Sequence, residues 1–486
     1  MYHAPNKRKK RAQLAFIYTL MALAVMSIVA VLVLIMQGYR FNRYDGRVEQ
    51  GGLLQFDSRP AGATVTMDDI VLANKTASKI TVQAGEHTIS ISKDGYSTWK
   101  KTVGVASGSV TWLNYALLMP TQPKIVKAAT YLSVASSMVS PDSKYMAVLV
   151  ESQTPTITVI ALNSTLPEQS QVSIPTDVYS ESTANHTFSL VGWDRDGRFM
   201  LIKHSYSEGK TEYLSVDLRG NEAPRNLSRS LGVDIASVEY SLASSNTVYI
   251  LTAAHELRRA ELSSATLTGP LFTDIASFAQ PDRATVAYTT MLGPDGRRSV
   301  GYLTSGAAKP RVVRTYTSDG VAPFELRIGK YYGDEYMSIV HDKTIEILTG
   351  DIPSSDATSA LNLTQVAKYQ CPSSVTTSGF SPEHNRFVVS RCGADVTSYD
   401  LERRLLGRSI VAGDTGTAIN WIDNYHWAVT ASGVAAYHDF DGTNRQAVGL
   451  NAAPQAATMS ENAKYFYHFT QSASGMVLVR TQMTTD

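Results

Sequence analysis

Few residues in this 486-residue chain have types that could support chemistry, namely two cysteines, ten histidines and a few Asp-Gly turns. In a reducing compartment Cys371 and Cys392 would read as inert core residues. In an oxidising one they are a candidate disulfide, because the segment between them reads as strand, turn and strand and could bring its ends together. Asp194-Arg195-Asp196-Gly197 and Asp439-Phe440-Asp441-Gly442 open like calcium loops but lack the further ligands and distal Glu that such loops require. Asp-Gly favours tight hairpin geometry, and both are read as turns. The histidines are scattered singly; His341, His426, His438 and His468 fall in or beside expected strands and are read as structural. No His-Glu-x-x-His or Cys-x-x-Cys signature for zinc occurs. Gly95-Tyr96-Ser97-Thr98-Trp99 begins like a nucleophile elbow but lacks its closing glycine. Phosphate-binding and dinucleotide-binding glycine patterns are absent. No catalytic, cofactor-binding or metal-binding residue is therefore assigned, no cofactor is expected, and the chain is read as non-enzymatic. Carboxylates that converge only in three dimensions escape this reading.

The elements that must position these residues begin with an apolar run, Leu14 to Met36, that contains no charge. At 1.5 Å per residue its length of about 35 Å crosses a hydrocarbon core of about 30 Å with some tilt. It is longer than the apolar core of a secretory signal, and Ile35-Met36-Gln37-Gly38-Tyr39 is a poor cleavage site, so a retained anchor in the lipid bilayer is expected. Lys7, Arg8, Lys9, Lys10 and Arg11 precede it and, by the positive-inside rule, place the N-terminus in the cytoplasm and the rest outside. Arg40, Arg43 and Arg47 reduce that asymmetry, with Asp45 and Glu49 among them.

Beyond residue 36 there are 39 basic and 43 acidic side chains. Such a near-neutral, slightly acidic balance has no electrostatic footprint for nucleic acid. Low charge, abundant Ser and Thr and many short β-branched runs point to an all-β fold.

Residues 51–120 alternate with period two at Leu54-Gln55-Phe56, Thr64-Val65-Thr66-Met67, Lys79-Ile80-Thr81-Val82 and Thr88-Ile89-Ser90-Ile91-Ser92, with turn clusters between them. This describes a small antiparallel sandwich with one buried face. Ser58-x-Pro60-Ala61-Gly62-Ala63-x-Val65, followed by Asp68, resembles the signature of PEGA domains. Val82-x-x-Gly85-x-His87-Thr88-Ile89-x-Ile91-x-Lys93-x-Gly95-Tyr96 and Trp99 are similar to that family's second half. Ala61, Asp69 and Ala77 depart from its pattern, where Glu, Gly and Pro are frequent. The resemblance implies a non-catalytic module of a bacterial envelope protein, placed beside a transmembrane helix. Trp99 and Trp112 are read as core or inter-domain packing rather than a ligand platform.

After Pro120-Thr121-Gln122-Pro123 a unit recurs: an apolar strand, a Ser/Trp-Pro/Asp turn, a strand rich in Tyr, Phe and Val, and a third strand ending in Asp-Leu or similar. Clear copies begin at Ser140-Pro141-Asp142, Gly192-Trp193-Asp194, Phe380-Ser381-Pro382 and Met459-Ser460-Glu461. Weaker ones turn near Ser244-Ser245-Asn246, Gln280-Pro281-Asp282, Gly333-Asp334-Glu335 and Trp421-Ile422-Asp423-Asn424. Repeats of about 40–50 residues with several strands each mark a β-propeller, whose blades stack because none can bury both faces alone. The Ser-Pro-Asp turn before an aromatic-aliphatic strand resembles TolB-like and WD-repeat-like propellers, which implies the fold and leaves function open.

The expected architecture is an all-β ectodomain, a small β-sandwich plus a β-propeller of seven or eight blades, with one N-terminal transmembrane helix. Its parts are a basic tail (1–13), the helix (14–36), a juxtamembrane linker (37–50), the sandwich (51–120) and the propeller (125–486). The expected role is a membrane-tethered binding or scaffold protein of the cell envelope whose propeller contacts an envelope protein or surface polymer. The alternatives are a carbohydrate-active enzyme and a sensory ectodomain working with a partner.

Overall fold

The computed structural model describes residues 7–36, 39–41, 48–165, 167–181, 186–207, 209–411, 419–473 and 475–485. The chain forms two compact units, one of residues 1–122 with 484–486, the other of residues 123–483.

In the first unit a helix runs from Lys7 to Met36. Within it Leu14–Met36 has a mean hydropathy of 2.8, and no part of it is buried by protein. A 23-residue helix that is apolar on every side and covered by nothing is a candidate membrane span or signal sequence. The backbone of the basic cluster belongs to this helix, whereas the side chains of Lys7, Arg8, Lys9 and Lys10 lie outside the described residues. Part of the expected linker is ordered as a ribbon, Tyr39–Phe41 pairing antiparallel with Val48–Gln50. Residues 37–38 and 42–47 lie outside the described residues.

The small β-domain has two sheets. One orders Ser78–Val82, Gly52–Arg59 and Val110–Leu117; the other orders Ile70–Val71, Thr64–Met67, Gly85–Ser92 and Trp99–Val105. Along Gly52–Arg59 buried and partly buried residues alternate, as a strand with one covered face requires. Leu54, Phe56, Val65, Ile89, Ile91, Trp99 and Leu113 form the core. The sandwich is not purely antiparallel, because Gly52–Arg59 and Val110–Leu117 run parallel. Between them the chain visits the second sheet and returns antiparallel at Ser78–Val82. It crosses to the second sheet again for Gly85–Ser92 and Trp99–Val105, and rejoins the first in the original direction, a crossover that permits parallel pairing. Trp99 meets Tyr115 edge-on at 5.7 Å, and Trp112 is 36% exposed rather than core.

The second unit is a β-propeller. Among the described residues it contains eight four-stranded antiparallel sheets, here numbered first to eighth in chain order. The first comprises Ser136–Val139, Tyr145–Leu149, Thr156–Ala161 and Gln169–Ser173. The eighth takes Thr458–Met459, Tyr465–Ser472 and Gly475–Gln482 from the end of the chain and Ile125–Tyr131 from its start. The ring closes there by pairing Ile125–Tyr131 with Gly475–Gln482. Side chains reinforce the closure: Tyr467 Oη donates to Leu162 O at 2.9 Å and Asn163 Nδ2 to Glu461 Oε2 at 3.1 Å.

The middle strands read as continuous apolar runs because both faces are covered. On Tyr145–Leu149, Ala147 and Leu149 pack with Phe188, Met200 and Ile202 of the second sheet. Met146 and Val148 pack the opposite way, with Tyr467, Phe469 and Leu478 of the eighth. The first strand of each sheet is innermost, and adjacent inner strands such as Ser136–Val139 and Thr187–Trp193 touch each other. Outer strands such as Leu405–Ile410 are largely exposed.

The recurrent turns owe their chemistry to this architecture. Ser140, Asp194, Ser381 and Ser460 end inner strands, and their side-chain oxygens accept from the backbone N–H of Tyr145, Phe199, Phe387 and Tyr465, at 2.8–3.2 Å. Each bond fixes the reversal into the next strand, as an Asx or Ser turn does.

Candidate functional site

Where the seventh, eighth and first sheets adjoin, the inner wall of the ring opens into a cleft of about 690 Å³. Its cause is local. The inner strands there are Asn420–Trp421 and Thr458–Met459, two residues each, whereas those of the second and fifth sheets have seven and eight. Lining residues include Ser136, Ser137, Trp421, Thr430 and Gln455. Among the described residues, Ser136 Oγ, Ser137 Oγ, Thr430 Oγ1 and Gln455 Oε1 are buried and have no hydrogen-bond partner. An unpaired buried oxygen costs about 1–3 kcal/mol, and others occur away from the cleft, at Thr158, Ser338 and Thr481.

Elsewhere the inner strands carry charge. Glu239, on Ile235–Ser241, is exposed, yet its carboxyl pKa is raised by desolvation, with Gln280 and the Arg327 charge opposing. A carboxyl that touches water but is walled by protein on most sides behaves this way. Arg327, on Phe324–Tyr331, pairs with Glu325 at 3.5 Å.

The residues singled out from sequence fall elsewhere. Cys371 and Cys392 are bonded, with Cα atoms 5.8 Å apart. They tie the segment entering the sixth sheet to its strand Phe387–Cys392, and both are buried. Asp194 Oδ1 accepts from Arg198 N and Phe199 N and its Oδ2 from Ser245 Oγ. Asp439 Oδ2 accepts from Asn444 Nδ2 at 2.9 Å. Gly197 and Gly442 have positive φ, so both motifs are turns. Among the described residues no group of three or more His, Cys, Asp or Glu is arranged to hold a metal ion.

Two histidines read as isolated in sequence come together. His204 Nε2 lies 3.3 Å from His186 Nδ1, and its Nδ1 lies 2.8 Å from Glu212. Glu212 also accepts from Ser180 N, Ser180 Oγ and Asn226 Nδ2. Burial pushes the His204 pKa down, with Glu212 opposing. Phe188 stacks on its ring at 4.3 Å and Tyr206 at 5.1 Å. Glu212 and His204 thereby form a satisfied structural network.

The turn at Pro60, Ala61, Gly62 and Ala63 is held from several directions. Thr76 Oγ1 accepts from Ala63 N, Gly62 N donates to Thr76 O, and Lys93 Nζ donates to Ala61 O at 2.6 Å. Gly62 has φ +75°, and Ala63 is fully buried. Asp68 accepts from Thr88 N and pairs with His87 at 2.6 Å, which holds the Asp68 carboxyl below its ordinary range. Residues 52–121 match the PEGA domain family. In the PEGA domain Thr76, Lys93, Asp68 and His87 thus serve to hold the turn and the strands beside it. The propeller resembles solved structures at low identity. The C-terminal WD40 domain of Sif2 is 13% identical with a TM-score of 0.49, covering 74% of this chain and 99% of its own. Oligogalacturonate lyase in complex with manganese is 11% identical with a TM-score of 0.41, covering 75% and 98%. The propeller domain of Swd1 from Myceliophteria thermophila is 9% identical with a TM-score of 0.41, covering 75% and 100%. No curated protein matches the chain.

The cleft residues escaped the sequence reading. Ser136 and Ser137 sit in what reads as an ordinary strand, and Trp421 in what reads as a weak turn. No local signal sets them apart, since the sixth sheet also places two polar residues, Thr377 and Ser378, at the same distance before its turn.

Proposed function

We propose that this chain is a membrane-tethered, non-enzymatic binding protein of the cell envelope, whose propeller presents the cleft lined by Trp421 and Ser136 to a ligand or partner. The observation that carries this reading is the cleft of about 690 Å³ itself, open in the inner wall where two inner strands are only two residues long. The apolar helix acts as the tether and the PEGA domain as a spacer, since its polar groups are engaged internally. The basic cluster Lys7–Arg11 favours a cytoplasmic N-terminus, and a TolB-like propeller on the outside suits contact with an envelope protein or surface polymer. Protease added to sealed, right-side-out vesicles is expected to digest the propeller and spare the N-terminal tail; the opposite protection pattern would reverse the orientation. Full-length protein is expected to capture a component of envelope extracts that the Trp421→Ala variant does not. Equal capture by both would remove the cleft from the function.

A second reading, a carbohydrate-active enzyme, has one observation in its favour. Glu239 is a carboxyl on an inner strand with a raised pKa, the property of a general acid. Cleavage of a surface glycan that is abolished by Glu239→Gln would establish it.

A further inference from the structure

The course of the chain between the apolar helix and the small β-domain restricts how that domain can meet a membrane, and the inference below rests on the helix being a membrane tether. Tyr39 follows the helix end at Met36 by at most about 11 Å of chain. The ribbon then returns the chain to its start, because Gln50 lies opposite Tyr39. From there Val48–Gln50 runs on into Gly52–Arg59, and the chain does not bend at Gly51. The passage is closely held: Gly51 O accepts from Gly108 N at 2.9 Å and Leu53 N donates to Ser109 O at 2.8 Å. A Cβ at Gly51 would collide with Val82 O, and one at Gly52 with Val105 Cγ1. Beyond Gln50 the strand therefore continues for about 30 Å in the direction opposite to Tyr39–Phe41. Were the ribbon to stand along the bilayer normal, this strand would run into hydrocarbon, where the edge of an open sheet leaves N–H and C=O groups without partners. The strand must instead lie along the membrane surface, with a broad side of the domain against it.

The two broad sides of the domain differ. On the outer face of its three-stranded sheet Leu53 lies between Thr81 and Val110, and Gln55 between Lys79 and Trp112. Val110 is 44% exposed and Trp112 36%. Asp57, farther along the strand, accepts from Ser58 N at 2.8 Å. The outer face of the four-stranded sheet carries the hydroxyls of Thr64, Thr66, Ser90, Ser92 and Thr102, with Val71 at its edge. Water solvates that hydroxyl face readily, whereas the other leaves an indole and aliphatic side chains at the surface. Tryptophan suits the headgroup layer, where its apolar ring and polar N–H are both satisfied, and a neighbouring lysine can extend to lipid phosphates. We infer that the small β-domain lies flat on the membrane that holds the helix, with Leu53, Val110 and Trp112 against the headgroup layer and Lys79 at the lipid phosphates.

Full-length protein can be reconstituted in vesicles of phosphatidylcholine and phosphatidylglycerol with a fluorophore on Asn114→Cys or on Thr102→Cys. The first position is on the outer face of the three-stranded sheet and the second on the opposite side; both are exposed, and the native cysteines are bonded to each other. Lipid with a nitroxide headgroup is expected to quench the probe at 114 at least about threefold more than the probe at 102, and aqueous iodide to show the reverse order. In the unlabelled chain, brominated lipid should quench a share of the tryptophan emission that Trp112→Phe removes. Equal quenching at the two positions, stronger lipid quenching at 102, protection of 114 from both quenchers, or bromolipid quenching unaltered by Trp112→Phe would overturn the inference. Extraction at alkaline pH separates the two readings. Protein that stays with the vesicles but shows no lipid contact at 114 refutes the flat domain and leaves the tether standing. Protein released from them removes both.

Discussion

The sixth and seventh sheets solve one problem with different side chains. In each, a cation at the start of the second strand pairs with an aspartate at the end of the third. In the sixth, Arg386 makes two hydrogen bonds to Asp400, at 2.8 and 3.2 Å, and Nη1 reaches Glu402 at 2.6 Å. The second sheet repeats the arrangement with Arg198 and Asp217 at 2.7 Å. In the seventh the cation is His426, with Nδ1 2.8 Å from Asp423 and Nε2 3.5 Å from Asp439. An arginine keeps its charge at any ordinary pH, whereas a histidine holds it only while the pair outweighs desolvation. Burial alone would lower the His426 pKa, but Asp423 and Asp439 push it up to about 9. The same staple is permanent in one sheet and dependent on protonation in the next.

The largest expected effect comes from breaking the permanent staple. Arg386→Ala leaves Asp400 buried without its cation and should cost about 3–5 kcal/mol, read from the denaturation midpoint in urea. Should the loss stay below about 1 kcal/mol, the pair would be contributing no more than a surface ion pair.

The protonation-dependent staple predicts a pH profile. The folded pKa of His426 is raised above its ordinary value, so its contribution is complete below about pH 6.5 and is lost as pH rises through about 9. The loss across that window should be about 3 kcal/mol. His426→Gln should flatten the midpoint between pH 6.5 and 9, while Arg386→His should add a new decline there. A wild-type midpoint that is flat over this window would show that His426 is neutral in the folded state.

The two sheets also differ in that the sixth carries the Cys371–Cys392 bond, which closes a segment with a sequence separation of 21. Replacing both cysteines with alanine should cost about 3 kcal/mol by the chain-entropy account. Thermal melts of oxidised and reduced wild-type protein check it; coincident melts would mean that packing around the pair, not the bond, supplies the stability. The smallest effect is at the turns. Ser381→Ala removes the acceptor for Phe387 N and should cost about 1 kcal/mol. A loss as large as that of Arg386→Ala would make the turn, not the ion pair, the determinant of this sheet.

Much of the fold was legible because its signals are local. Each recurrent turn read from sequence lies at the junction of a first and second strand, although Ser244-Ser245-Asn246 and Asp334-Glu335 already begin the second. Ser140, Asp194, Ser381 and Ser460 bond to backbone five or six residues onward, so their meaning is contained in a short window. The PEGA turn was legible for the same reason. The histidines were not: His426 has Asp423 three residues before it, but its second partner, Asp439, lies at the end of the adjoining strand. His186 and His204 meet only because a hairpin brings them side by side.

By itself, the sequence determined the length and uniform apolarity of Leu14–Met36, the small β-domain and the repeat of strands and turns. Hydrophobic period and turn chemistry act over a few residues and need no tertiary context. Only the tertiary structure decided how the ring closes and where its wall opens. Ile125–Tyr131 finds Gly475–Gln482 because the last sheet lacks an outer strand, and Ser136 and Ser137 come to line one cleft with Trp421, Thr430 and Gln455 because that closure sets the first sheet beside the eighth. These residues are far apart along the chain, and packing between sheets, rather than any local preference, brings them to one cleft.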